Sequence, residues 1–425
     1  MRNKKNDRTK VDHLFSDSRG GMMVLLALLF VISSCTNSAN NSAGQNRSWI
    51  GTWSSSQQLV EPRNMPPEPG LENNTLRQVV HVSLGGDSLR VTFSNTYGNA
   101  PLTLNEVHLA VSDDSSAIRP ETDQTLYFDG KKQVTINPDT TATTDPFAFD
   151  LQPQSNVTIT IHYGQVPSDL TGHPGSRTTS YVVEGNQLSA TAFDSSGQKN
   201  RWYTIRSIEV LAPDSAASVI ALGNSITDGR SSGINKQARW TDYLARRLQA
   251  NPETSHISVL NQGIGGNCVL KDCLGPSALS RFQEDVLNQP KAKWLIIMEG
   301  VNDIGGSQGA EGAAQVAENL IDAYKTMIDK AHDHDMKIYG ATITPFGGSF
   351  YDSPPKREVW KKVNEWIRTS GHFDAVIDFA AALRDPEQPT RLLPKADSGD
   401  HLHPSPQGYQ MMAKAIDLKL FKKDS

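Results

Sequence analysis

Cysteine is scarce in this chain, and the arrangements in which cysteine usually does chemistry are missing. Only Cys35, Cys268 and Cys273 occur in 425 residues, with no CxxC pair and no His/Cys array of metal-site spacing. No internal repeat is visible, so a solenoid or propeller built from repeats is not indicated. No basic stripe occurs either. The formal net charge is −5, which gives no reason to propose a nucleic-acid partner. Long apolar runs are also absent: the stretch from Met22 to Ile32 is too short to cross a bilayer comfortably. What is present, 37% hydrophobic and 20% charged residues, describes a soluble globular protein whose length suggests two domains.

The short apolar run follows a basic segment and ends at Ser33-Ser34-Cys35, the layout of a signal-peptide core. Small residues directly before a cysteine resemble a bacterial lipobox. On that reading residues 1–34 are a lipoprotein signal peptide, and Cys35 is the lipidated first residue of an exported, membrane-anchored chain. The other reading is an ordinary cleaved signal beside an incidental cysteine. Residues 1–34 carry six basic against three acidic side chains, so their removal takes the net charge from −5 to about −8. The polar stretch over 35–47 then reads as a flexible tether. In an exported chain Cys268 and Cys273, with four residues between them, are best read as a local disulfide, with two free thiols as the alternative.

From 48 to 213 the pattern is β. Leu89, Val91 and Phe93 alternate with Arg90 and Thr92, and Val157, Ile159, Ile161 and Tyr163 alternate with Thr158, Thr160 and His162. Turn signals such as Gly85-Gly86-Asp87 and Asn137-Pro138-Asp139 separate the runs. Many short strands without a helix predict an accessory β-sandwich, jelly-roll-like in kind. Trp49, Trp53, Tyr181 and Trp202 can stack on sugars, but aromatics in a sandwich are more often core. The loop 171–177, TGHPGSR, places His173 and Arg177 among turn formers; it reads as a solvated turn, with reach into an active site as the alternative.

Over 214–425 the pattern changes. Apolar runs at 217–222, 257–260, 294–298, 338–343 and 375–379 alternate with helical compositions near 239–250, 277–287, 311–334, 355–369 and 406–420. Strict alternation predicts a parallel sheet with helices on both faces, and ligands then bind beyond the carboxyl ends of the strands. Four motifs fall there or in the last loop: VIALGNSITDG at 219–229, GIGG at 263–266, EGVND at 299–303 and GDHLHP at 399–404. Ser225 stands where a strand turns into a helix, which suits either a nucleophile or a helix cap.

In this order and spacing the four motifs resemble the blocks of the SGNH/GDSL hydrolases, a family of serine esterases and deacetylases. The resemblance covers roughly 217–425 and implies a flavodoxin-like α/β fold. Asn224 stands where the family has aspartate. By resemblance Ser225 is the nucleophile, His403 its base and Asp400 the residue that orients the base. The Ser225 and Gly266 backbone N–H groups and the Asn302 amide would form the oxyanion hole. His401 is the competing base, expected to point away from His403 in an extended segment. Asn302 can also be read as a helix cap, and Asp397, Asp400, His401 and His403 as metal ligands. With a serine in need of a base, the site calls for no metal and no cofactor. The expected activity is hydrolysis of acyl esters, most naturally acetyl groups on carbohydrate. The alternatives are a general short-chain carboxylesterase or lipase, for which no long apolar lid segment is evident, and a non-catalytic glycan-binding surface lipoprotein.

Overall fold

The computed structural model describes residues 46–422. The expected signal segment, Cys35 and all but the end of the expected tether therefore lie outside the described residues. Arg47, at the end of that tether, already begins the first strand, Arg47–Ser54.

Besides a short three-stranded antiparallel sheet of Trp202–Tyr203, Thr171–His173 and Gln58–Leu59, two larger antiparallel sheets fill the region up to Pro213. In one, Arg47–Ser54 pairs with Ile205–Pro213, which pairs with Gly86–Ser94, which in turn holds Thr141–Thr143 and Phe147–Leu151. The other runs Gly197–Lys199, Ser180–Val183, Thr75–His81, Asn156–Tyr163, Leu102–Val111 and Gln124–Leu126, with Val134–Ile136 also on Leu102–Val111. The alternating residues Leu89, Val91 and Phe93 of the first sheet and Val157, Ile159 and Ile161 of the second meet in one core. Each such side chain stabilises the fold by about 1.5–3 kcal/mol relative to exposure. Thr158 and Thr160 depart from the alternation, being buried as well. Thr160 is engaged by the buried Arg77, whose guanidinium donates to Thr160 Oγ1 at 3.0 Å, Ser116 O at 2.6 Å and Ala190 O at 2.7 Å. The four aromatics are structural, apart from Trp49 under the Arg90 guanidinium: Tyr181 is buried, and Trp53 meets Trp202 edge to face at 5.0 Å.

The remainder is a five-stranded parallel sheet in the order Ile257–Gly263, Ala217–Gly223, Ala292–Met298, Lys337–Ala341, Ala375–Ile377. This is the flavodoxin-like order, with the chain's first strand of this sheet second in line. Ile220 and Leu222 pack against helices Gly309–His332 and Pro354–Thr369, while Val219 and Ala221 face Trp240–Gln249 and Pro406–Ala415. Burial on both faces is why these strands read as continuous apolar runs.

The two regions pack as a single unit. Strand Arg47–Ser54 lies on the edge strand Ile257–Gly263 so closely that a Cβ at Gly51 would sit 2.7 Å from Leu260 Cδ1. Ser83 Oγ accepts from the Val259 N–H at 3.1 Å, and buried Gln262 bonds to Ser54 and Ser56. Arg281 joins this seam to the site, donating to Ser56 Oγ at 2.9 Å and to Gly223 O at 3.1 Å.

Candidate active site

Strand Ala217–Gly223 ends one residue before the turn that carries Ser225. Asn224, in extended conformation, caps the four-residue helix Ser225–Asp228 by accepting from Ile226 N–H at 3.0 Å. The cap is therefore Asn224, and Ser225 occupies the first helical position with its hydroxyl free for other use. Asn224 also donates to Glu299 Oε2 at 3.0 Å. Burial pushes the Glu299 carboxyl up to about 8 against the pull of Arg281. An aspartate at 224 would have no hydrogen to offer it, which is a physical reason for asparagine here.

Ser225 Oγ lies 2.9 Å from His403 Nε2, and His403 Nδ1 lies 2.6 Å from Asp400 Oδ2. All three come together, although Ser225 and His403 are 178 residues apart. Burial pushes the His403 imidazole below its ordinary value despite the opposing pull of Asp400, and Arg230 and Arg177 add to the depression. A neutral ring is what a base needs. Burial alone would raise Asp400, but hydrogen bonds from the His403 backbone and ring and from Leu402 N–H bring it down to about 2. His401 points away, as expected, but for a different reason. Its backbone is left-handed, at φ 61°, not extended, and its ring pairs with Asp397 at 2.5 Å. The four residues that can be read as a metal cluster thus divide into two separate Asp–His pairs.

Ser225, Gly266, Asn302 and His403 line one cleft of about 470 Å3. Ser225 N–H stands at a helix start, where no intrahelical acceptor exists. Gly266 adopts φ 74°, a conformation that favours glycine. Asn302 is the second residue of helix Val301–Gly306, whose cap is Gly300, so the cap reading does not hold. One hydrogen of its amide goes to Asn267 O at 2.6 Å, and its carbonyl accepts from Tyr351 OH at 2.9 Å. The second amide hydrogen remains for a ligand. Beyond Gly266, Cys268 and Cys273 are disulfide-bonded. The same loop is held by Asp303, which accepts from Val269 N–H at 2.9 Å and Leu270 N–H at 3.0 Å.

Loop 171–177 departs from the expectation. It is not a solvated turn: His173, Gly175 and Ser176 are buried, and Pro174, Gly175 and Arg177 line the cleft beside Ser225. His173 bridges the two regions, its Nδ1 facing Ser56 O at 2.8 Å and its Nε2 facing Asp228 Oδ1 at 3.0 Å. Arg177 donates to the other oxygen of Asp228 at 3.2 Å. Burial would raise the Asp228 carboxyl, but Arg177 and His173 outweigh it and hold it below the usual range. A Cβ at Gly175 would lie 1.9 Å from Asp228 Oδ2, so that loop touches the helix of Ser225 itself. The alternative reading, reach into the cleft, therefore holds, and only the partner of His173, 55 residues away, had no local signal.

A parallel α/β layer with a Ser–His–Asp relay in a cleft beyond its strand ends is the class that fold and geometry define. Residues 221–411, within the α/β region, match the GDSL-like Lipase/Acylhydrolase family. Among solved structures the chain is similar to an acetylxylan esterase from Geobacillus stearothermophilus, at 24% identity, with 48% of this chain and 93% of that one covered and a TM-score of 0.37. It is also similar to a GDSL-like lipase from Bacteroides thetaiotaomicron, at 20% identity over 48% and 87% of the two chains, with a TM-score of 0.33. No curated protein matches.

Proposed function

We propose that this protein is a serine esterase that removes acyl groups, acetyl above all, from carbohydrate. The observation that carries the reading is the relay Ser225–His403–Asp400 opening on a cleft of about 470 Å3. His403, neutral at the start, takes the Ser225 proton as Oγ attacks the ester carbonyl. Asp400 stabilises the imidazolium that forms. Negative charge on the carbonyl oxygen is met by the N–H groups of Ser225 and Gly266 and by the Asn302 amide, each donor contributing about 3–4 kcal/mol to the barrier reduction. Collapse expels the alcohol, which receives the proton from His403, and water then releases the acid by the same steps. The cleft lining is mostly polar, with Leu274, Phe350 and Leu402 as its larger apolar members, which favours a short acyl group on a hydrophilic alcohol over a long lipid chain. Export and anchoring through Cys35 belong to this reading and rest on the basic and apolar segments before Ser33-Ser34-Cys35.

The test is release of 4-nitrophenol from 4-nitrophenyl acetate by the wild-type chain and by Ser225→Ala. The variant is expected to keep its fold by circular dichroism and to lose about 10⁴-fold or more in kcat. Turnover above a few per cent of wild type would remove Ser225 as the nucleophile. An inactive wild type would favour the binding-protein alternative.

A further inference from the structure

The cleft above Ser225 is cationic, although the chain as a whole is acidic at −5. Arg63, Arg177, Arg201 and Arg230 line it, against Glu61 and Asp228. Asp228 is already engaged by His173 and Arg177, and Glu61 accepts from Asn64 at 2.6 Å. Arg63, Arg201 and Arg230 have no carboxylate partner among the described residues. Arg201 is nevertheless aimed: its Nε donates to Asn64 Oδ1 at 2.9 Å and its Nη1 to Asn200 O at 2.6 Å. Those acceptors are neutral, so they orient the guanidinium without cancelling its charge. Burial, and then the neighbouring charge of Arg177, depress its pKa against the smaller opposing pull of Tyr203, Asp228 and Glu61. Arg230 follows the helix of the serine and is pinned to it, its N–H donating to Ser225 O at 2.8 Å and its carbonyl accepting from Tyr409 OH at 2.5 Å. Arg63 sits on the turn Pro62–Asn64 that also presents Asn64 to Arg201. Apolar surface is on offer in the same cleft: Phe350 is 75% exposed and Leu274 41%.

Like charges held together at a cleft wall cost free energy unless something anionic enters, and a planar guanidinium fork matches a carboxylate. We propose that this cleft selects acylated sugars that carry a carboxylate, with Arg63, Arg201 and Arg230 binding the uronate group while Phe350 and Leu274 pack on the ring. The proposal rests on the esterase reading above. A neutral glycan would leave the three arginines facing water alone, whereas an acidic one supplies their missing partner and is drawn in by the local field.

The test measures acetate release by the full chain from acetylated oligogalacturonate, from the same oligomer with its carboxyls methyl-esterified, and from an acetylated xylo-oligosaccharide. The kcat/KM for the free acid is expected to exceed that for its methyl ester by about tenfold or more. That ratio should fall toward one in Arg63→Gln combined with Arg230→Gln, both at exposed positions where folding is not at stake, and further with Arg201→Gln. Raising the salt to about 0.5 M should compress it as well. A wild-type ratio near one, or a ratio that the arginine variants leave unchanged, overturns the proposal. If 4-nitrophenyl acetate is cleaved in a Ser225-dependent way and the ratio is still near one, this inference alone fails. Absence of any Ser225-dependent cleavage removes the esterase reading and this one together.

Discussion

The antiparallel region and the α/β region both reach the cleft, but they contribute different things. The α/β region brings the groups of the proposed chemistry, each at the end of a strand or in the last loop: Ser225, Gly266, Asn302 and the Asp400–His403 pair. The antiparallel region brings no member of the relay. It supplies Arg63, Asn64, Arg177 and Arg201 on the cleft wall and clamps Asp228, three residues past the serine. The antiparallel region is thus more than a spacer. Its loops complete the cleft, and on the proposed reading substrate choice and the position of Ser225 are where the two regions depend on each other.

The largest expected effect tests the α/β half of that division. His403→Ala should lower kcat by about 10⁴-fold, while His401→Ala, whose ring is half-exposed and paired only with Asp397, should stay within a few-fold of wild type. Equal losses at both would break the assignment. The pH profile sharpens it. Since the neutral ring is the active form, kcat/KM should rise with pH as His403 loses its proton and then level off. Because burial depresses that proton affinity, the midpoint should lie below the ordinary imidazole value of 6.5. A midpoint above it would mean that the pairing with Asp400 outweighs burial.

A smaller loss is expected from the antiparallel half. Gly175→Ala places a methyl group where Asp228 Oδ2 now lies, and that carboxylate cannot swing aside without leaving His173 and Arg177. The shift passes to the helix that starts at Ser225, and displacement of reacting groups by a fraction of an ångström to one ångström costs up to about a hundredfold in rate. We expect kcat to drop about ten- to a hundredfold with KM for 4-nitrophenyl acetate little changed. A purely structural role would lower the melting temperature and leave kcat per folded molecule intact, which is the result that would separate the two regions again.

This contrast also explains what could be read from the sequence. Ser225, Asp400 and His403 were legible because each sits in a short motif whose chemistry is local; Asp400 and His403 are three residues apart and bond to each other directly. The strands of the parallel sheet were legible because burial on both faces writes them as unbroken apolar runs. The cleft wall was not, since His173 meets Asp228 and Arg201 meets Asn64 only through packing between distant segments. Thr160 misled for a related reason: a polar residue on an outward face becomes buried when a side chain from elsewhere, here Arg77, lies over it and bonds to it. The left-handed backbone at His401 carries no glycine or asparagine to announce it.

The smallest expected effect concerns the loop that presents Gly266. Cys268 and Cys273 close a ring with a sequence separation of 5, and for so short a ring the chain-entropy contribution is roughly 2 kcal/mol. Considered alone, the bridge would be the brace for the Gly266 N–H, and its loss would damage turnover more than stability. The structure supplies two other braces. Asp303 accepts from the two residues that follow Cys268, and Asn267 donates to Leu274 O at 3.3 Å and Pro276 O at 2.7 Å while its own carbonyl is held by Arg281. These bonds are buried or part-buried and survive reduction. Changing both cysteines to serine should therefore lower the melting temperature by a few degrees and kcat by no more than a few-fold, whereas Asp303→Ala, which strands two backbone N–H groups, should cost more of both. A double-serine variant slower than Asp303→Ala would show that the bridge, and not the carboxylate, positions the oxyanion donor.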